Sequence, residues 1–179
     1  GYNSLTATTT GNSCVAIGTN ALTTSTTTSN LTAVGFEALK AHTSGTSAVA
    51  VGYKALTANT TGSANTAIGR DALLSNTTAS NNTAVGTNSL ESTTTGNVNT
   101  AMGSSALQSN TTGDANIAVG YQSLKDNTTA NNNVAIGYRA LLSNTTGVSN
   151  TAIGTDSLDA NTTASNNTVL VTQQLELML

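Results

Sequence analysis

Glycine returns every seventeenth residue along almost the whole of this chain: Gly1, Gly18, Gly35, Gly52, Gly69, Gly86, Gly103, Gly120, Gly137 and Gly154, with no slip of register. Taking this glycine as position 0, Leu stands at position 4 as Leu5, Leu22, Leu39, Leu56, Leu73, Leu90, Leu107, Leu124, Leu141 and Leu158, and Leu175 follows in step. Position 3 is Ala or Ser, positions 8 and 9 are Thr except Ser44, position 15 is Ala from Ala16 to Ala152, and position 16 is Ile, Val or Met. The unit reads G-x-x-[AS]-L-x-x-N-T-T-[GA]-x-x-N-x-A-[IV]. Copies of equal length with no insertions imply equal geometry stacked along one axis. Seventeen residues are too few for a helix pair with its turns, and the unit lacks the Glu and Lys that a solvated helix needs. Thr, Val and Ile punctuated by Gly and Asn describe short strands and tight turns. The expected fold is all-β: a parallel β-solenoid, one coil per repeat, about ten coils over residues 1–168, spanning roughly 48 Å at the spacing of paired strands. Residues 169–179 break the pattern and are expected to form a cap, a neck or an exchanged strand.

Composition matters because a chain so rich in Thr, Asn, Ser and Ala, with 7% charged residues and no Pro or Trp, would otherwise suggest disorder. The unbroken repeat argues against that. Five Lys and Arg against eight Asp and Glu supply no basic patch for nucleic acid. No apolar run is long enough to span a membrane as a helix. Cys14 is the single cysteine, so no internal disulfide framework exists, and it reads as a small apolar group.

The glycines at position 0 (Gly18, Gly35, Gly52, Gly69, Gly86, Gly103, Gly120, Gly137, Gly154) are expected at a corner that needs positive φ or no Cβ. A second small residue at position 10 (Gly11, Gly45, Gly62, Ala79, Gly96, Gly113, Ala130, Gly147, Ala164) suggests another corner and a flattened, two-sided coil. Leu22, Leu39, Leu56, Leu73, Leu90, Leu107, Leu124, Leu141 and Leu158 are expected to form the core ladder. Asn at position 13, from Asn65 to Asn167, is expected to stack as an amide ladder. Successive strand residues point to opposite faces, so positions 15 and 16 cannot both face inward. With Ala inside, Ile17, Val34, Val51, Ile68, Val85, Met102, Val119, Ile136 and Ile153 form an exposed stripe that calls for a partner. With Ile and Val inside, the stripe is covered and a monomer is possible. The thin core favours association, with a parallel homotrimer as the expected form. Neither end carries a polar cap, which predicts head-to-tail fibre contacts.

All five aromatics fall at position 1, and Tyr53, Tyr121 and Tyr138 are the candidate ligand strip. The charges fall at positions 1, 2, 5, 6 and 11. Asn-x-Thr sequons recur at Asn59, Asn76, Asn110, Asn127, Asn144 and Asn161, with others at Asn30, Asn81 and Asn166. These are candidate glycan acceptors, or simply turn and ladder chemistry. No catalytic, metal or cofactor site is expected. His42 reads as a drifted surface position, and one His with one Cys cannot make a zinc site. Asp71 and Asp156 lie five coils apart, roughly 24 Å at the strand spacing, too far to act together on one glycosidic bond.

The strands Val15-Ala16-Ile17-Gly18, Asn133-Val134-Ala135-Ile136-Gly137 and Asn150-Thr151-Ala152-Ile153-Gly154 resemble the head repeats of trimeric autotransporter adhesins of the YadA-like type. The fuller unit, Gly52-Tyr53-Lys54-Ala55-Leu56 followed by Asn59-Thr60-Thr61-Gly62, resembles the repeats of phage tail-fibre proteins. The resemblance implies a left-handed β-roll in a trimer, at a cell or virion surface, acting as a structural or adhesive fibre module that meets a host surface protein or glycan. An ice-binding or carbohydrate-binding solenoid is the alternative reading.

Overall fold

The computed structural model describes residues 1–171. Each repeat closes one coil, and each coil contributes one three-residue strand: β1 (Val15–Ile17), β2 (Thr32–Val34), β3 (Val49–Val51), β4 (Thr66–Ile68), β5 (Thr83–Val85), β6 (Thr100–Met102), β7 (Ile117–Val119), β8 (Val134–Ile136), β9 (Thr151–Ile153) and β10 (Thr168–Leu170). They form a single ten-stranded parallel sheet in chain order. The register is constant, so Ala33 pairs with Ala50 and Val34 with Val51. The expected parallel solenoid of 17-residue coils is therefore the fold.

Alternation within the three-residue strand settles which side faces inward. Ala33, Ala50, Ala67, Ala84, Ala101, Ala118, Ala135 and Ala152 are fully buried, and positions 14 and 16 point out. Opposite the alanines lie the leucines of position 4, fully buried from Leu22 to Leu141. Small Ala on one wall and long Leu on the other fit a narrow coil that larger side chains on both walls would split apart.

The glycine corner is required on two counts. From Gly18 to Gly154 its φ lies between +124° and +141°, in the region that side chains avoid. A Cβ on Gly86 would also sit 2.5 Å from the carbonyl oxygen of Gly103 in the next coil. The other bends use the left-handed conformation with non-glycine residues at positions 2, 4 and 12. At position 4 that residue is Leu in every coil, with φ between 50° and 54°. The conformation costs about 1–2 kcal/mol, and complete burial of an apolar side chain returns about 1.5–3 kcal/mol.

This backbone also explains why the coil is not a two-sheet sandwich. Left-handed residues at positions 2 and 4 interrupt any extended run beyond the corner, so that side forms turns instead of a second sheet. Its backbone groups still pair between coils: Leu56 N–H donates to Ala72 O at 3.0 Å, Ala58 N–H to Leu74 O at 3.2 Å and Thr60 N–H to Thr77 O at 2.8 Å. The Thr60 hydroxyl donates to the same Thr77 carbonyl at 2.9 Å. This bond recurs along position 8 and gives that Thr row its purpose. Val169 and Leu170 extend the rod, with Val169 paired to Ala152 and Val171 N–H donating to Ile153 O at 2.8 Å. The remainder of the expected cap, neck or exchanged strand, residues 172–179, lies outside the described residues.

Candidate functional site: an outer stripe, an aromatic edge and two interior amide ladders

The stripe at position 16 faces solvent along the sheet. Ile17 is 58% exposed, Met102 45% and Ile68 41%, with Ile136 and Ile153 slightly below; Val34, Val51, Val85 and Val119 are half-buried. Val15 and Ile117 at position 14 are exposed beside it, among half-buried threonines. No ionisable residue stands at positions 14 to 16 from Val15 to Leu170. The result is an uncharged, methyl-rich face running the length of the rod.

The aromatic edge is a set of stacked rings. Phe36 lies on Tyr53 with centroids 5.4 Å apart and planes 11° from parallel, and Tyr121 lies on Tyr138 at 5.5 Å and 15°. Lys54 Nζ sits 5.3 Å from the Tyr53 ring centre, and Arg139 lies 5.9 Å from that of Tyr138. The tyrosines are nearly half exposed, yet they spend ring faces on each other and on these cations. What they offer outward is mainly edges and hydroxyls.

The charged residues keep to this outer zone. Lys40 pairs with Glu37 at 2.7 Å, Arg70 with Asp71 at 3.0 Å and Arg139 with Asp156 at 3.7 Å. Among the described residues no cluster of His, Cys, Asp and Glu has the make-up of a metal site, and no helix is long and apolar enough to cross a membrane.

Inside the rod, the two asparagine rows act as one device. At position 13, Asn82 N–H donates to Asn65 Oδ1 at 3.0 Å, and the Asn82 amide donates to Gly96 O at 2.8 Å. At position 7, Asn76 Nδ2 donates to Asn59 Oδ1 at 2.9 Å and to Ala79 O at 3.1 Å. The carbonyl at position 10 is the shared acceptor. Ala79 O also receives Asn65 Nδ2 at 2.7 Å, and Gly147 O receives Asn133 and Asn144, both at 2.9 Å. A buried corner carbonyl is thus satisfied from two coils at once. The position-13 ladder matches the sequence expectation; at position 7 ladder chemistry was one of the two readings, but the burial of that row was not anticipated. A usable signal was present: positions 7 and 13 depart from Asn together in the first three coils, as Thr8 with Cys14, Ser25 with Leu31 and His42 with Ala48. A larger group at one position accompanies a smaller one at the other in the last two pairs.

The position-7 sequons are therefore interior. Asn59, Asn76, Asn110, Asn127 and Asn144 are fully buried and Asn161 is half-buried. The nitrogen that a glycan would modify already donates to the ladder and the corner carbonyl. The closed coil has no room for a glycan there, so Asn-Thr-Thr at these positions serves as turn and ladder chemistry. Asn30, Asn81 and Asn166 at position 12 are exposed.

His42 is likewise corrected: it is a fully buried rung of the position-7 ladder and not a surface residue. Asn59 Nδ2 lies 2.9 Å from His42 Nδ1, and His42 Nε2 lies 2.8 Å from Gly45 O. An amide nitrogen can only donate and a carbonyl can only accept, so the ring is neutral with its proton on Nε2. Burial holds the imidazole below its ordinary pKa range, opposed in part by its hydrogen bonds to the Gly45 and Asn59 region.

These features define a class, the parallel β-solenoid repeat protein with an uncharged outer sheet face. No protein-family model, curated protein or solved structure matches the chain.

Proposed function

We propose that the chain is a structural or adhesive fibre module of an extracellular, cell-surface or virion-surface assembly, that it carries out no catalysis, and that it works by association with copies of itself, most simply as a parallel homotrimer. The observation that supports this reading is the outward stripe from Ile17 to Ile153, apolar at each coil and free of charge along its length. A partner that contacts every coil must repeat at the same rise of about 4.8 Å, and another copy of the same rod meets that requirement without adjustment. The resemblance of the Val-Ala-Ile-Gly strands to trimeric adhesin heads and fibre repeats points the same way.

The test is mass by light scattering over a concentration series, for the native protein and for Ile68→Asp with Ile136→Asp. Both side chains are outside the coil, so the monomeric fold tolerates the change. A trimer that falls to monomer in the variant supports the reading, and a native monomer at high concentration defeats it. A second reading, ice binding, is favoured by the row of exposed hydroxyls at position 9 (Thr61, Thr78, Thr95, Thr112, Thr129, Thr146). Thermal hysteresis distinguishes it. Carbohydrate recognition by Tyr53, Tyr121 and Tyr138 is the weaker alternative, because stacked rings have fewer free faces for a sugar.

A further inference from the structure

The position-7 ladder is made of groups that do not change charge, with one departure. Position 7 is Thr, Ser or Asn in every described coil except the third, where it is His42. The ring is fully enclosed and wedged between coils. Its Nδ1 is an obligatory acceptor for Asn59 Nδ2, and the Asn59 amide is committed elsewhere too, donating to Gly62 O at 2.9 Å and accepting from Asn76 at 2.9 Å.

A proton on Nδ1 would put two donors face to face. Turning the Asn59 amide over would present Oδ1 to the imidazolium, but it would leave Gly62 O without its donor and set the Asn59 amide nitrogen against that of Asn76. The ladder cannot absorb the charge by rearranging one rung.

No neighbouring group neutralises it either. The coil before, residues 18–34, contains no ionisable residue. In its own coil Glu37 is bound to Lys40. In the coil after, Lys54 lies over Tyr53, and beyond that Arg70 pairs with Asp71. The position-7 neighbours themselves are Ser25 and Asn59.

We propose that coil 35–51 is an acid-sensitive opening in the rod: uptake of a proton by His42 frees the coil from Asn59 and uncovers the edges of the coils on either side. The neutral ring belongs to the closed coil and the charged ring to the open one. Closure is therefore fully favoured above the free imidazole's value of about 6.5 and weakens as pH falls below it. The molecule holds its own control. Coil 120–136, five coils further on, repeats the surroundings with Tyr121 for Phe36, Leu124 for Leu39, Lys125 for Lys40 and Thr128 for Thr43, but has Asn127 in place of His42.

The test is amide hydrogen exchange at pH 7.5 and pH 5.0, corrected for intrinsic rates. It compares Leu39, Ala41 and Thr43 with Leu124, Asp126 and Thr128, which make corresponding bonds to the next coil. The expected result is a rise in opening at the first set of up to about 30-fold, the 1.5 pH units below the free imidazole value, with little change at the second. His42→Asn with Ala48→Asn, which restores the usual pair of rungs, should remove the difference. Equal behaviour of the two coils in the native protein overturns the proposal, as does an acid response that survives in the double variant.

Discussion

Replacing Thr93 by Asn should stabilise the rod, and the ladder geometry sets the size. Along position 7 the amides hand on hydrogen bonds from coil to coil, but Thr93 interrupts the chain. Asn76 Oδ1 beneath it is buried without a partner. Above it, Asn110 Nδ2 reaches Thr93 Oγ1 only at 3.5 Å, against 2.9 Å for the next rung from Asn127 to Asn110. The corner carbonyl of Gly96 has the Asn82 amide, whereas Gly113 receives both Asn99 and Asn110. Asn and Thr are close in volume and the backbone is the one that holds Asn in the neighbouring coils, so the exchange introduces no overpacking. Satisfying a buried orphan acceptor is worth about 1–3 kcal/mol. In a chain of this size that corresponds to about 2–4 °C in Tm for each kcal/mol. Equilibrium denaturation followed by circular dichroism measures it, with hydrogen exchange at Thr77, Thr94 and Thr111 to locate the gain in case the rod unfolds in stages. The Asn76→Ala background is the cycle partner: without Oδ1 to satisfy, most of the gain should vanish. A Thr93→Asn protein no more stable than the parent, or a gain undiminished in that background, refutes the reasoning.

Val98 holds φ at 60° while 58% exposed, so Val98→Asn, the residue at Asn81 and Asn132 in the same position, should add about 1 kcal/mol by removing strain, read as a higher denaturation midpoint. Leu107→Ala should cost about 2–5 kcal/mol, because it empties the fully buried wall opposite Ala101 and Ala118; a loss below 1 kcal/mol by the same titration would show that the coil collapses to fill the gap. Gly86→Ala should be worse than its size suggests, since φ is +136° and the new methyl would meet the Gly103 carbonyl. Soluble yield and strand content should both fall, and a normal circular dichroism spectrum would contradict the close approach.

The equal spacing of Gly18, Gly35 and Gly52 was enough to read the stacking, the register and the number of coils, because a repeat without insertions admits one way of placing like over like. The Leu ladder and the position-13 amides were legible for the same reason. Spacing alone could not choose between Ala33 and Val34 as the inward residue. That depends on the width left by Leu39 and Leu22 across the coil, a distance found only once the ring closes. Of the two sides expected from the corners at positions 0 and 10, only one carries strands among the described residues, because Leu at position 4 adopts a conformation that local propensity disfavours, and burial overrides the preference. His42 was misplaced by a related route. In one sequence a lone polar variant looks like drift, and only the closed coil shows that position 7 points inward and that Ala48 leaves space for the larger ring.

The amide rows have a direction. In both rows Asn oxygens face the following coil, while the side-chain nitrogen reaches back at position 7 and forward to the next corner carbonyl at position 13, so a partly built rod carries a line of aimed acceptors on its growing side. Each newly made coil needs to close a loop of only seventeen residues to land on that line, an entropic cost that stays constant however tall the stack becomes. Synthesis from the N-terminus delivers segments in the order in which the template can receive them, so the molecule can zip as it is made instead of searching for distant contacts afterwards.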